Sequence, residues 1–490
     1  MGKRIPAIEY RPPHSQSGRK PVRKPVRKTK ALGEVRFRPA PGVRTVTPAA
    51  WKAIFAKSVQ GLVLAGAVAV VWLWLRDGGI TGVHDAAGAF TSAGRITGLL
   101  AGFLLAVQVL LISRLPFLEW TAGFDRLARW HGLNGKVALY LVLAHVGLIT
   151  AGYAMARNTS VFNEVSVLLS VYYGIVAAVI GTGLLIIVVI TSIVIVRSRL
   201  HYEWWYLVHL LTYGGLALVW FHETRTGFDF ITNTWAAVWW TGLYLLTLQL
   251  LLLFRVIHPL LRAYIHRLRV KQIVVEAPGV VSVHMVGRHL EWLNPQAGQF
   301  FLWRFLTPGR IWEAHPFSLS AAPNGETFRI TAKSVGDFTQ KMADIKPGTR
   351  VITEGPFGSV TADACTRDRV ALIAGGIGIT PLRAMLEEMN GNIVLVYRVM
   401  NESDVVFRDE LEALAELRRF KIHYVIGDHR LPKNRWLMSA DHLRKLVPDI
   451  ATREIYLCGP PAMVAALEGN VRATGVRSQF IHIERFALHK

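Results

Sequence analysis

Residues 129–149 read RWHGLNGKVALYLVLAHVGLI and residues 206–222 read YLVHLLTYGGLALVWFH. Both stretches are apolar enough for a membrane, and each carries two histidines: His131 and His145 in the first, His209 and His222 in the second. Imidazole is costly in hydrocarbon, so an intramembrane histidine faces the interior of a helix bundle and has a task there. The separations of 14 and 13 residues correspond to rises of roughly 21 and 20 Å on an α-helix. Two such helices side by side offer two opposed imidazole pairs, one toward each membrane face, and each pair can hold a haem iron from both sides. His201 competes as a ligand, but its rise of roughly 31 Å to His222 has no match on the first stretch. A 14-residue step returns to within about 40° of the same helix face, whereas a 13-residue step misses by about 140°. That phase calls either for a local distortion at Gly214 and Gly215 or for a position of His222 past the helix end.

Six apolar segments of near-spanning length surround these histidines, at about 58–75, 94–113, 135–155, 166–196, 203–222 and 234–257. The fourth is overlong, which predicts tilt or extension beyond the bilayer. The formal charge of +23 sits largely in the first 40 residues and at the ends of apolar segments, a placement that fits membrane topology and not nucleic-acid binding. Residues 1–50 read as a disordered basic tail, topogenic and able to touch anionic lipid. With that tail inside, Arg126, Arg129, Arg197, Arg199, Arg255, Arg262 and Arg267 also fall inside, which places both termini in the cytoplasm. Cys365 and Cys458 are the two cysteines of the 490 residues, in no metal-binding or redox spacing, and are expected as reduced thiols.

Beyond His266 the pattern changes to short alternating stretches, Gln272–Glu276, Val280–Val286, Gln299–Arg304 and Thr327–Lys333, separated by Gly, Pro and Asn. This predicts a small antiparallel barrel. From Arg367 onward strands alternate with helical patterns: Arg369–Ala374, Pro381–Met389, Asn392–Arg398, Asp409–Leu417 and Lys421–Ile426. That alternation predicts a doubly wound parallel sheet of the dinucleotide-binding type. The expected organisation is a multidomain membrane protein: a tail over 1–50, a six-helix transmembrane bundle over 51–265, an antiparallel β barrel over 266–364 and an α/β nucleotide domain over 365–490.

Trp130-His131-Gly132-Leu133 with His145, and Tyr206-Leu207-Val208-His209 with His222, resemble the transmembrane domain of the ferric reductase and NADPH oxidase family. The resemblance implies two b-type haems on the third and fifth spans, the inner held by His131 and His209, the outer by His145 and His222. His315-Pro316-Phe317-Ser318 resembles the family's flavin motif, which implies that Phe317 packs on the isoalloxazine of FAD and that Ser318 hydrogen-bonds near its reactive N5. Lys333, Gly336, Phe338 and Thr339 offer a cation, a glycine and a hydroxyl before an expected helix whose free N–H groups suit a pyrophosphate. Glu354-Gly355-Pro356-Phe357-Gly358 looks like the family's closing flavin loop. Gly375, Gly376, Gly378, Thr380 and Pro381 form a strand-to-helix turn fit for a phosphate, departing from G-x-G-x-x-G but similar to the ferredoxin-reductase nucleotide loop. Cys458-Gly459-Pro460 resembles the segment beside the nicotinamide, and Glu484 and Phe486 resemble the terminal residues that reach the flavin. Arg398, at the end of the second nucleotide-domain strand, suits a ribose 2′-phosphate and favours NADPH over NADH.

The resemblance implies an NAD(P)H-dependent plasma-membrane oxidoreductase passing electrons through FAD and two b haems to a small extracytoplasmic acceptor, with a ferric or cupric chelate preferred. Dioxygen or a protein partner are the alternatives within that class, and a histidine-based proton or ion transporter with a redox sensor is the alternative outside it. His84, Arg157, His222 and Arg225 are the polar groups available on the outer connections.

Overall fold

The computed structural model describes residues 49–193, 196, 199, 202–428 and 430–485; the expected tail, apart from Ala49 and Ala50, lies outside them, as do His201 and Phe486. Among the described residues six helices are long and apolar enough to cross a membrane: α1 (Ala49–Arg76), α2 (Ala86–Ile112), α3 (Phe124–Ala156), α4 (Ile175–Ser192), α5 (Tyr202–Thr226) and α6 (Thr234–Leu252). The overlong fourth segment is resolved by a break. Gly174 takes φ +98°, a left-handed conformation open to glycine at little cost, and separates α4 from a short helix, Val161–Val171. The third span starts earlier than its hydropathy suggests, so His131 lies a full two turns inside α3.

Small residues let these helices approach closely, the usual device where lipid offers no hydrophobic drive to association. A Cβ at Gly94 of α2 would come within 2.7 Å of Ile149, and one at Gly102 within 2.8 Å of Trp240. Between α4 and α5, a Cβ at Gly181 would lie 3.1 Å from the Gly215 carbonyl.

After α6 the helix continues through a π-helical turn, Leu253–Ile257, into α7 (His258–His266). The antiparallel half that follows contains β1 (Arg269–Ala277), β2 (Val280–Val286), β3 (Phe300–Phe305), β4 (His315–Ser318), β5 (Thr327–Lys333) and β6 (Val351–Phe357). These strands make two three-stranded sheets, β1-β2-β5 and β4-β3-β6, in place of one continuously bonded barrel. Single bridges, Leu319 to Ile330 and Arg269 to Arg350, join the sheets at the two seams. At the seam between β4 and β5 the reason lies in β4: it has four residues, and Pro316 among them has no N–H to give to a ladder. Phe301, Trp303, Phe305, Phe328 and Ile330 fill the space between the sheets.

The last part is a five-stranded parallel sheet in the order β11-β10-β7-β8-β9, formed by β7 (Arg369–Gly375), β8 (Asn392–Val399), β9 (Lys421–Ile426), β10 (Glu454–Gly459) and β11 (Ile481–Arg485). It carries α8 (Ile379–Glu388), α9 (Arg408–Arg418) and α10 (Pro461–Ala473). The chain order reverses between β7 and β10, which creates the crevice where such sheets bind ligands.

The two soluble parts are tied by a charge network. Arg329 of β5 makes a two-point contact with Glu410 of α9 at 2.9 and 3.0 Å, Arg383 of α8 reaches the same carboxylate at 2.7 Å, and both guanidiniums donate to the Ser320 carbonyl. Burial alone would raise the Glu410 pKa, yet the Arg329 hydrogen bonds and the Arg383 charge hold it below the usual carboxylate value. A depressed carboxylate stabilises the fold above its ordinary pKa, and that contribution is lost as pH falls through the lowered native value. Glu410→Gln is therefore expected to lower the thermal midpoint of the soluble half by roughly 3–10 °C at pH 7. The difference should shrink on acidification below pH 4.5, as followed by intrinsic fluorescence; an equal gap at pH 7 and pH 3 would remove the network from the fold's pH dependence.

Candidate functional site

The four intramembrane histidines meet in two pairs across α3 and α5. The rings of His131 and His209 have centroids 6.1 Å apart, and those of His145 and His222 are 6.4 Å apart. Nδ1 of His131 lies 3.0 Å from the Gln108 carbonyl and Nδ1 of His145 lies 2.8 Å from the Gly94 carbonyl, both on α2. A carbonyl only accepts, so in each ring Nδ1 carries the proton and Nε2 keeps its lone pair for the space between the helices. A Cβ at Gly98 would stand 2.5 Å from His145 Nδ1, so α2 needs glycine there to approach the ring. Ser192 Oγ lies 3.4 Å from His209 Nδ1, and the Trp205 ring packs 5.0 Å from the His209 ring. The helix α5 runs unbroken through Gly214 and Gly215, and His222 lies within it, so neither a break nor a helix end accounts for the 13-residue phase.

Two imidazoles sharing one metal, with metal–nitrogen bonds of about 2.0–2.1 Å, place their ring centres roughly 6.4 Å apart. The measured separations fit that spacing. No group of three or more His, Cys, Asp or Glu that could hold a metal ion occurs among the described residues. An iron at either pair would therefore need its remaining ligands from a macrocycle, as haem provides.

In the antiparallel half, His315, Phe317 and Ser318 lie on β4, with Pro316 exposed between them. The indole of buried Trp303 donates to the Phe317 carbonyl at 2.9 Å, which fixes the strand. His315 stacks on Phe338 with centroids 3.9 Å apart, and its Nε2 lies 3.2 Å from Glu313, a partner the sequence reading missed. Ser318 Oγ is buried and has no hydrogen-bond partner among the described residues, a vacancy in hydrogen bonding that a cofactor heteroatom would fill. Lys333 and Thr339 are otherwise engaged. Lys333 Nζ lies 3.2 Å from Asp404, and the Val335 and Gly336 amides donate to the Thr339 hydroxyl. The expected helix after Gly336 is a single turn, Asp337–Gln340, so the pyrophosphate cradle read from these residues does not stand open.

At the sheet's crossover, β7 runs into Gly375, Gly376 and Gly378 and then into α8. A Cβ on Gly378 would meet the Cys458 carbonyl at 2.3 Å, and one on Gly375 would meet Met463 at 2.2 Å; Gly376 has φ +52°. The glycines thus let the loop lie directly against the end of β10, which carries Cys458, Gly459 and Pro460. Thr380 donates to the Ile377 carbonyl at 3.0 Å and caps the turn, with Pro381 buried beside it. Gly355, at φ +138°, leaves no room for a Cβ against Phe301. Glu484 of β11 stands in register with Cys458. Arg398 departs from its expected use: it is buried at the end of β8, and its guanidinium donates to the carbonyls of Val399, Val425 and Gly427. The fork read as a 2′-phosphate reader is turned inward to close the β8–β9 edge.

These parts define a membrane protein whose spanning bundle brings histidines together in pairs and whose soluble half carries a nucleotide-type crevice. Residues 97–220 match the ferric reductase like transmembrane component, and residues 372–469 match the oxidoreductase NAD-binding domain. The chain thus joins a ferric reductase like transmembrane component to an oxidoreductase NAD-binding domain. It is 31% identical over 151 residues to NADH-cytochrome b5 reductase 1 of Laccaria bicolor, covering 28% of this chain and 48% of that protein. It is 31% identical over 202 residues to the ferredoxin reductase component of 3-ketosteroid-9-alpha-monooxygenase of Mycolicibacterium smegmatis, covering 40% and 56%. The chain thus spans about half the length of these curated relatives. Among solved structures it is similar to the flavohem-like FAD/NAD binding domain of nitric oxide dioxygenase from Vibrio cholerae O1 biovar El Tor, with TM-score 0.37, 24% identity, and coverage of 45% of this chain and 98% of that one.

Burial raises the thiol pKa of Cys458 well above its ordinary value, with Glu484 adding to the effect, and burial pushes Cys365 up to about 11. Both are neutral thiols at physiological pH, and the thiolate is the reactive form. Iodoacetamide at pH 8 should leave both cysteines unmodified in the folded protein and label both after denaturation. Rapid labelling of Cys458 in the folded state, read by mass spectrometry, would contradict its burial.

Proposed function

We propose that this protein carries electrons from NAD(P)H, through FAD in its soluble half and two b-type haems in its membrane bundle, to an acceptor on the opposite side of the plasma membrane. Both termini lie in the cytoplasm in this reading, and a ferric or cupric chelate is the preferred acceptor. The observation that carries the proposal is the pairing of His131 with His209 and of His145 with His222, each at a ring separation that would suit two imidazoles holding one iron.

Flavin accepts hydride as an electron pair and releases electrons singly, which lets a two-electron donor serve one-electron haem iron. The chain's own residues supply placement. Gln108 and Gly94 fix the tautomer and ring orientation of His131 and His145 through their carbonyls, the outer-shell role that metal-ligating histidines require. The unpartnered Ser318 hydroxyl is available to a flavin ring atom. The Gly375–Gly378 turn and the end of β10 form the wall for the nicotinamide nucleotide, with Cys458 as a neutral thiol packed within that wall. Lys333 and Arg398 are occupied within the protein, so the reading assigns neither to phosphate and leaves the donor as NAD(P)H. Outward flow of electrons from a negative cytoplasm is favoured by about 2.3 kcal/mol per charge per 100 mV. A proton relay accounts less well for the histidines, because the two pairs lie roughly 20 Å apart along the helices.

His131→Ala or His209→Ala is expected to remove about half of the b-type absorbance, one of two sites. The same variants should abolish NAD(P)H-driven reduction of an outside acceptor while preserving NAD(P)H oxidation by a soluble dye that takes electrons from flavin. His145→Ala and His222→Ala should retain the haem nearer the soluble half yet fail to reduce the outside acceptor. Full two-haem spectra and full outward activity in all four single variants would refute the proposal.

A further inference from the structure

The sixth span does not stop at the membrane. Through the π-helical turn and α7 it is helical from Thr234 to His266, 33 residues, or roughly 50 Å against a hydrocarbon thickness of about 30 Å. Its projecting end carries two arginines to one point on β6. Arg255, within the π-helical turn, lies 3.7 Å from Glu354 Oε2, and Arg262 donates to the neighbouring Gly355 carbonyl. A second arm comes from the end of α2: Arg114 lies 3.7 Å from the same Glu354 oxygen and 3.2 Å from Glu119, with its guanidinium 4.9 Å from the Phe357 ring centre. Arg304 of β3 closes the cluster 3.8 Å from the other Glu354 oxygen. Glu354 is 14% exposed, and its Oε2 makes no hydrogen bond among the described residues. At 3.7–3.8 Å the attraction is Coulombic, beyond direct hydrogen-bond length.

The placement of this hub gives it a consequence. Leu302 of β3 pairs with Glu354 on one side and with Pro316 on the other, so the hub stands in register with the His315–Ser318 motif, about 10 Å away across two strand spacings. On the membrane side, Arg114 follows Gln108 by six residues, just past the end of α2, and the Gln108 carbonyl holds His131. One carboxylate thus connects the helix that orients His131 with the sheet that bears the flavin-type motif. π-helical turns within α-helices occur frequently at functional sites.

We infer that Arg255, Arg114 and Glu354 are positioning residues that set the distance between the flavin motif and the His131–His209 pair; the inference rests on the electron-transfer reading above. The hub aligns donor and acceptor and takes no part in hydride transfer. Arg255→Glu, in the full chain in nanodiscs, places a second carboxylate against Glu354. In rapid mixing with NADH or NADPH, flavin reduction should keep its wild-type rate, while haem reduction slows by roughly ten- to a hundredfold. Hydrogen exchange should rise over residues 354–358 and 112–116, and Arg255→Lys should restore most of the rate. If Arg255→Glu fails to accumulate, Arg255→Gln reads the same two quantities. Unchanged haem reduction, with or without faster exchange, would overturn the positioning role. Absence of b-type bands in dithionite-reduced wild type would instead overturn the electron-transfer reading, and unchanged exchange in the variant would then overturn the hub as well.

Discussion

An imidazole inside an apolar bundle has two ring nitrogens to satisfy and no water to satisfy them. In this protein α2 meets one nitrogen each of His131 and His145 with a backbone carbonyl, and α5 presents the opposing ring. That division of labour explains why α2 and α3 pack so closely and why glycine stands at 94 and 98. A side chain at Gly98 would displace His145, and with it the second ring pair. The bundle's tightest contacts and its functional geometry therefore have the same cause.

The soluble half follows a comparable rule with charge in place of imidazole. Arg329 and Arg383 are buried, and each is acceptable there because Glu410, Glu387 and the Ser320 carbonyl take up their terminal N–H groups. Removing one partner from such a network leaves an uncompensated charge, which costs more than the net worth of the pair. The result is a fixed relation between the sheets that carry the flavin-type motif and the parallel sheet that carries Cys458.

Much of this was legible from the chain. The strands and helices of the parallel sheet lie within a few residues of their expected limits, because buried parallel strands are continuous apolar runs and the intervening helices have amphipathic spacing. The paired histidines were legible because a polar residue in hydrocarbon carries information that a polar residue in a loop does not. The break at Gly174 was hidden inside an uninterrupted apolar run, where hydropathy cannot separate a turn from a span. Arg398 and Lys333 illustrate a different point: a long cationic side chain at a strand end fits a phosphate as readily as nearby carbonyls or carboxylates, and only the fold shows which protein groups are in reach.

The sequence by itself determined the number of spans, the alternation of the nucleotide fold and the presence of two histidines on each of two spans, since each depends on periodicity or on the cost of burying a residue type. Tertiary structure decided which carbonyls hold the rings of His131 and His145, how the antiparallel strands divide into two sheets, and which carboxylate gathers the arginines that follow α6 and α2 with the one on β3. Those choices involve main-chain carbonyls, which every residue possesses, and partners such as Arg114 and Glu354 that lie 240 positions apart. Their meeting is a property of packing, and local pattern has no term for it.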